Sequence, residues 1–173
     1  TSEYDGAGDG TGGIADVIEG AVSRGIMWVN SAGNSAGDAI DPGSYWRGTW
    51  ADADGDGWLE FAANDEFLQF DCTFINGLRW NDFGEDSPTD YDAYIYDNPL
   101  DPQPYWRSND SQGFGAPPLE TDLSCVAGDS DYLAIWLADA GAGTSGDVLE
   151  FMVNGTPLEY WQNAFSASGP ASD

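Results

Sequence analysis

Between residues 45 and 153, apolar side chains recur at every second position in short runs, and that period constrains the fold more than any other feature. Leu133, Ile135 and Leu137 share one face of a run, as do Leu149, Phe151 and Val153. Leu78 and Trp80 flank an outward Arg79. Successive side chains of a strand point to opposite faces, so this alternation is the pattern of a half-buried strand. Clusters of Gly, Asp, Asn and Pro, the residues that build turns, separate the runs. Strands are predicted near 45–50, 58–61, 67–72, 78–82, 91–96, 119–126, 131–138 and 148–153. Many short alternating strands pack as two sheets, so the expected fold class is mainly β, a jelly-roll-like β-sandwich.

Residues 13–34 follow a different period. Ile14, Val17, Ile18, Ala21 and Val22 fall on one stripe of an amphipathic helix. Thr11 suits its start, Arg24 suits the negative end of the helix dipole, and Gly25 suits the left-handed position that ends it. Ile26, Met27, Trp28 and Val29 then form a run apolar on both faces, as in a strand of a parallel sheet covered by helices. Ser31-Ala32-Gly33-Asn34 closes it, placing Asn34 just past the carboxyl end of that strand, where open α/β sheets keep their chemistry. On the residues alone, Asn34 is equally a turn former.

The helix, the strand and the turn Ala32-Gly33-Asn34 together resemble the subtilisin-like serine proteases (subtilases). The resemblance implies that Asn34 is the oxyanion-hole asparagine, a donor worth about 3–4 kcal/mol to a tetrahedral intermediate. The preceding Tyr4-Asp5-Gly6-Ala7-Gly8-Asp9-Gly10-Thr11-Gly12 is similar to a branch of the family with a large insertion after that asparagine. The stretch from Tyr45-Trp46-Arg47-Gly48-Thr49-Trp50 to Trp58-Leu59-Glu60-Phe61 looks like the opening of such an insert. Leu78-Arg79-Trp80-Asn81-Asp82 and Thr89-Asp90-Tyr91-Asp92-Ala93-Tyr94-Ile95-Tyr96-Asp97 look like its paired strands. The implied organisation is a helix–strand fragment of an α/β subtilase domain over 1–40, an inserted β-sandwich over 41–158, and a return segment over 159–173. The parent would be a secreted serine endopeptidase acting on peptide or protein substrates, with the rest of its catalytic domain as this chain's partner. The insert would bind substrate or calcium, or stabilise the fold.

Composition decides what this chain can do alone. It has no histidine, so it contains neither a Ser-His-Asp triad nor a histidine-ligated zinc site. By itself it is expected to be inactive, with the catalytic Asp and His before Thr1 and the serine after Asp173. Gly143-Thr144-Ser145-Gly146 looks like a nucleophile motif but leads into a strand, so a hairpin turn is expected there. The Gly6–Gly13 stretch lacks the lysine of a phosphate loop. Acidic residues number 31 against four arginines, and the net charge is −27. Nucleic acid and anionic membranes would be repelled, and no run approaches the ~20 apolar residues of a membrane span. Such a surface suits a salt-adapted (halophilic) protein, a secreted calcium-binding one, or both. The chain is expected to be a piece of a longer protein, with no signal peptide within this sequence.

Asp52-Ala53-Asp54-Gly55-Asp56-Gly57 carries the sharpest metal signal. Alternate carboxylates around a glycine turn can converge on one hard cation, and oxygen-only ligands suit Ca²⁺. The loop is not a full EF-hand, because Ala63 stands where the bidentate glutamate belongs; Glu60, or a carboxylate from another loop, would serve instead. The alternative is a polar turn in a very acidic chain. Asp90, Asp92 and Asp97 bracket a strand, with Asp82 opposite, and like charges this close need a cation, a hydrogen-bond donor or solvent. Asp5 and Asp9 form a weaker pair. Cys72 and Cys125 fall in predicted strands; a bridge would close a loop of about fifty residues and contribute about 4 kcal/mol, which secretion favours over two buried thiols. Trp46, Trp50, Trp58, Trp80, Tyr105, Trp106 and Trp136 are candidates either for core packing or for a sugar-stacking platform. The second reading of the chain is therefore a calcium-dependent β-sandwich module for carbohydrate or cell-surface ligands.

Overall fold

The structure is a computed structural model, and it describes residues 13–29, 43–71, 74–83, 88–112, 116–126, 128–154 and 157–161. Helix α1 spans Gly13–Val22. Eight strands follow: β1 (Tyr45–Thr49), β2 (Leu68–Asp71), β3 (Ile75–Trp80), β4 (Asp90–Tyr96), β5 (Trp106–Ser108), β6 (Leu119–Glu120), β7 (Ser130–Asp139) and β8 (Val148–Val153). They form two four-stranded sheets, ordered β1-β8-β3-β6 and β2-β7-β4-β5. Every recorded pairing is antiparallel. First pairs with eighth, second with seventh, third with sixth and fourth with fifth. That is one long antiparallel ribbon wrapped into a two-layer jelly roll, and the mainly β sandwich expected from the alternation is the observed architecture.

The period-two pattern works because each sheet gives one face to a shared core. Leu78 and Trp80 on β3, Tyr91, Ala93 and Ile95 on β4, Leu133 and Ile135 on β7, and Leu149, Phe151 and Val153 on β8 all point into it. Each large side chain buried there contributes about 1.5–3 kcal/mol. Rings meet edge to face across it, as between Phe70 and Phe151 with centroids 5.6 Å apart. Cys125 packs against this core and is disulfide-bonded; Cys72, the chain's other cysteine, lies outside the described residues.

Arg79 departs from its expected exposure. Alternation turns it away from Leu78 and Trp80, yet it is only 6% exposed. That face of the sheet carries a second small cluster of Tyr45, Met152 and Leu119, and Arg79 ion-pairs there with Glu150. Tyr45 Oη donates to the same carboxylate at 2.8 Å, and Arg47 lies 3.3 Å from it.

Three sequence expectations change. Residues 58–61 form a single bridge, Trp58 to Trp136, rather than a strand, because β2 already occupies the first half of the β7 edge. Only Leu119–Glu120 of the 119–126 run pairs. The three-residue β5 carries no alternation to betray it.

Helix α1 ends as its sequence requires. Gly25 takes φ 77°; its N–H bonds Val22 O at 2.9 Å, and Ile26 N–H bonds Ala21 O at 3.1 Å. These are the two bonds of a Schellman motif. Arg24 donates to Gly20 O, capping a last-turn carbonyl. The apolar run at 26–29 is neither a strand nor buried: Met27 is 86% and Val29 81% exposed. A strand needs neighbours to receive its backbone hydrogen bonds, and among the described residues none pairs with this run. Val17 and Val22 are likewise exposed.

Candidate functional site

The outer face of the second sheet carries a concave feature. On β4, Tyr94 and Tyr96 alternate with the core residues Ala93 and Ile95. On β7, Trp136 lies between Ile135 and Leu137. The loop before β2 brings Trp58 against them: its ring is 4.8 Å from that of Trp136 and 5.5 Å from that of Tyr94, edge to face in both cases. Backbone bonds from Leu59 N–H to Ile135 O and from Leu137 N–H to Gly57 O, each 2.9 Å, fix this loop to β7. Gly57 has φ 91°, and a Cβ there would stand 3.0 Å from the Trp136 ring. Only glycine lets the loop lie this close.

The opposite wall comes from β5 and the segment before it. Pro104, Tyr105 and Trp106 complete an open cleft of about 750 Å³, with Gln103 and Arg107 as its polar groups. Hydrogen bonds hold the rings in place. Tyr94 Oη donates to Asp92 at 2.8 Å, Tyr105 Oη to Asp131 at 2.6 Å, and Trp106 Nε1 to Asp122 O at 2.8 Å. Burial, reinforced by the partner carboxylate, keeps the Tyr94 and Tyr105 hydroxyls protonated well above the usual phenol range.

The Asp52–Asp56 loop leads directly into Trp58. Asp52 accepts from the N–H groups of Gly55 at 2.7 Å, Asp56 at 3.1 Å and Gly57 at 3.0 Å. Asp56 accepts from Trp58 N–H at 3.0 Å. The turn thereby draws carboxylate oxygens of Asp52, Asp54 and Asp56 within 4.8 Å of one another. Glu60 stands outside that triplet. Glu66, which spacing did not single out, feels it: burial first, then Asp56, Asp54, Glu60 and Asp52 in turn, raise its carboxyl above the ordinary range.

A second triplet lies along β4. Asp90, Asp92 and Glu120 also bring carboxylate oxygens within 4.8 Å of one another. Glu120 comes from β6 in the other sheet and is 1% exposed. It accepts from Ser108 Oγ and from Gln112 Nε2 at 2.8 Å. Burial pushes its carboxyl up to about 7 against the pull of those two bonds. Burial likewise raises Asp90, with Asp92 adding to the effect, and raises Asp92, where Tyr94 and Arg107 oppose it. Of the aspartates grouped by spacing, Asp97 is exposed elsewhere. Asp82 belongs to a separate buried network, accepting Thr89 N–H at 2.8 Å.

The other sequence candidates separate cleanly. Trp58, Trp106, Trp136 and Tyr105 line the cleft, whereas Trp46 and Trp80 are core and Trp50 packs against it. Gly143–Gly146 is the turn between β7 and β8, closed by Asp147 N–H to Thr144 O at 3.2 Å. Asn34, Asp5, Asp9 and the Gly6–Gly13 stretch up to residue 12 lie outside the described residues. Among the described residues, no helix is long and apolar enough to cross a membrane. No protein-family model, curated protein or solved structure matches the chain.

Proposed function

We propose that this chain is an accessory binding module whose aromatic cleft takes a neutral carbohydrate. The observation that carries this reading is the cleft itself: Trp58, Trp136, Tyr105 and Trp106 stand around an open groove, the polar tips of Tyr105 and Trp106 bonded to Asp131 and Asp122 O and the rings of Trp58 and Trp136 packed on each other. Aromatic faces stack on the C–H faces of sugar rings, and rings fixed in advance lose little entropy on binding. Gln103 and Arg107 supply hydrogen bonds to hydroxyls. A net charge of −27 disfavours an anionic glycan. In this reading Ca²⁺ at Asp52, Asp54 and Asp56 pins the loop that presents Trp58. The test is affinity electrophoresis of the full chain through neutral polysaccharides, with calcium and with chelator. Trp106→Ala and Trp136→Ala are each expected to weaken retention at least about tenfold, near 1.4 kcal/mol. Equal retention of a folded double variant would overturn the reading.

A second reading is favoured by a separate observation. Val153 N–H bonds Ser44 O at 3.0 Å and Leu158 N–H bonds Gly43 O at 2.9 Å, so the chain enters and leaves the sandwich side by side. A domain with adjacent ends can sit in a loop of a host. The exposed Val17, Val22 and 26–29 run is what a helix and strand look like without the rest of their sheet. The host in this reading is a secreted, salt-adapted subtilisin-like endopeptidase in which Asn34 stabilises the oxyanion and the sandwich holds substrate or calcium. The gene on either side decides it. Upstream Asp and His motifs with a downstream Gly-Thr-Ser motif are expected; their absence sinks the idea.

A further inference from the structure

We propose that Asp90, Asp92, Glu120 and Gln112 form a Ca²⁺ site at the edge where the two sheets meet, whether or not the cleft binds glycan. Two features besides the clustering itself point to a cation. Gln112 is 2% exposed, and its amide oxygen is buried with no hydrogen-bond partner among the described residues. Its orientation is fixed, because Nε2 donates to both Leu119 O at 3.1 Å and Glu120 Oε1 at 2.8 Å. Turning the amide over would set its oxygen against two acceptors. The orphan oxygen shares its carbon with the nitrogen that grips Glu120, and Gln112 also gives its backbone N–H to Asp90. Gln112 is therefore bonded to two members of the triplet. The second feature is Asp90 Oδ1, a member of the triplet that is itself buried and unpartnered.

Buried acceptors are nearly always satisfied in folded proteins. Here one orphan belongs to the triplet itself and the other to the side chain that grips Glu120, and the positive charge that acts on Asp92 is Arg107 on the neighbouring strand. A cation satisfies both orphans and the like charges at once. All the donors are oxygens, which suits a hard ion and excludes a zinc site built on Cys or His. The carboxylate oxygens lie within 4.8 Å of one another, close enough to share one ion, and a set of protein oxygens suits Ca²⁺ better than Mg²⁺, which usually keeps several waters. Because β4 and β6 belong to different sheets, the ion would pin one sheet to the other where edge strands β5 and β6 are short.

The experiment uses the full chain carrying Asp54→Asn and Asp56→Asn, which disable the 52–56 loop. Its melting temperature is followed in chelator and on adding CaCl₂ or MgCl₂. Calcium is expected to raise it by about 5 °C or more at saturation, and magnesium to do less. Adding Glu120→Gln should abolish the rise, while leaving the melting temperature in chelator equal or higher, because it removes one buried like charge. That reversal of sign distinguishes a ligand from a merely structural glutamate. Asp92→Asn gives the same reading if Glu120→Gln fails to fold. No response to calcium in the loop-disabled chain, or a rise unchanged by either substitution, would overturn the site.

Discussion

Trp80→Ala is expected to lower the unfolding free energy by about 4 kcal/mol. Trp80 is 1% exposed at the end of β3. Its ring stands edge-on to Tyr91, with centroids 5.2 Å apart and planes at 89°, and so ties one sheet to the other. Its indole N–H donates to Thr89 O at 3.0 Å, leaving that carbonyl short of a donor when the ring is removed. Trp80→Phe should recover much of the packing but not the bond, and lose about half as much. Urea titrations followed by far-ultraviolet circular dichroism measure both. Midpoints within error of the parent would mean that the two sheets are held elsewhere.

Asp147→Ala should cost about 3 kcal/mol through unmade hydrogen bonds. Asp147 precedes β8 and is 5% exposed. One of its oxygens accepts from Thr89 Oγ1 and from Tyr91 Oη, each at 2.8 Å, and its carbonyl accepts from Trp50 N–H at 3.0 Å. Alanine leaves two buried hydroxyls without an acceptor. Asn keeps an oxygen in place, so Asp147→Asn should lose much less. The pair also predicts a pH effect. Burial raises the Asp82 carboxyl above 3.8, and the Asp147 charge raises it further. A carboxyl whose folded value exceeds its unfolded one supports the native state below 3.8, and that support fades as pH rises through the folded value. Asp147→Asn removes one of the causes, so its stability relative to the parent should improve over that rise. A constant difference between the two pH curves would refute the coupling.

The core was legible because its signal is local. Leu133-Ala134-Ile135 and Leu149-Glu150-Phe151 declare their faces by alternation alone. The Asp52–Asp56 triplet was legible for the same reason: one five-residue turn supplies all three carboxylates. Glu120 was not, because it meets Asp90 and Asp92 only after β6 and β4 are placed in different sheets, and no spacing in the chain encodes that distance. Glu66 was hidden by the intervening turn at Asn64, and β5 by having three residues and no repeat. The 26–29 run misled in the opposite direction. Its four residues are apolar, but hydrophobicity cannot supply the neighbouring strand. The aromatic cleft was half legible: tryptophans were abundant, yet only the topology separates Trp58 and Trp136 on the outer face from Trp80 within.

The wrapped ribbon also dictates the order in which this chain can fold. Tyr94 and Arg107 pair across the short connection between β4 and β5, whereas Tyr45 and Glu150 meet from 105 positions apart. Closing the longer loop first carries the larger entropy loss. Assembly is therefore cheapest from the middle of the sequence outwards, as a zipper that starts at β4–β5 and finishes at β1–β8. Contacts this distant in sequence belong to slow folders, in milliseconds to seconds. On a ribosome, where the amino-terminal half emerges first, β1 through β4 must wait for their partners, and a strongly charged surface keeps the waiting strands from pairing with other chains.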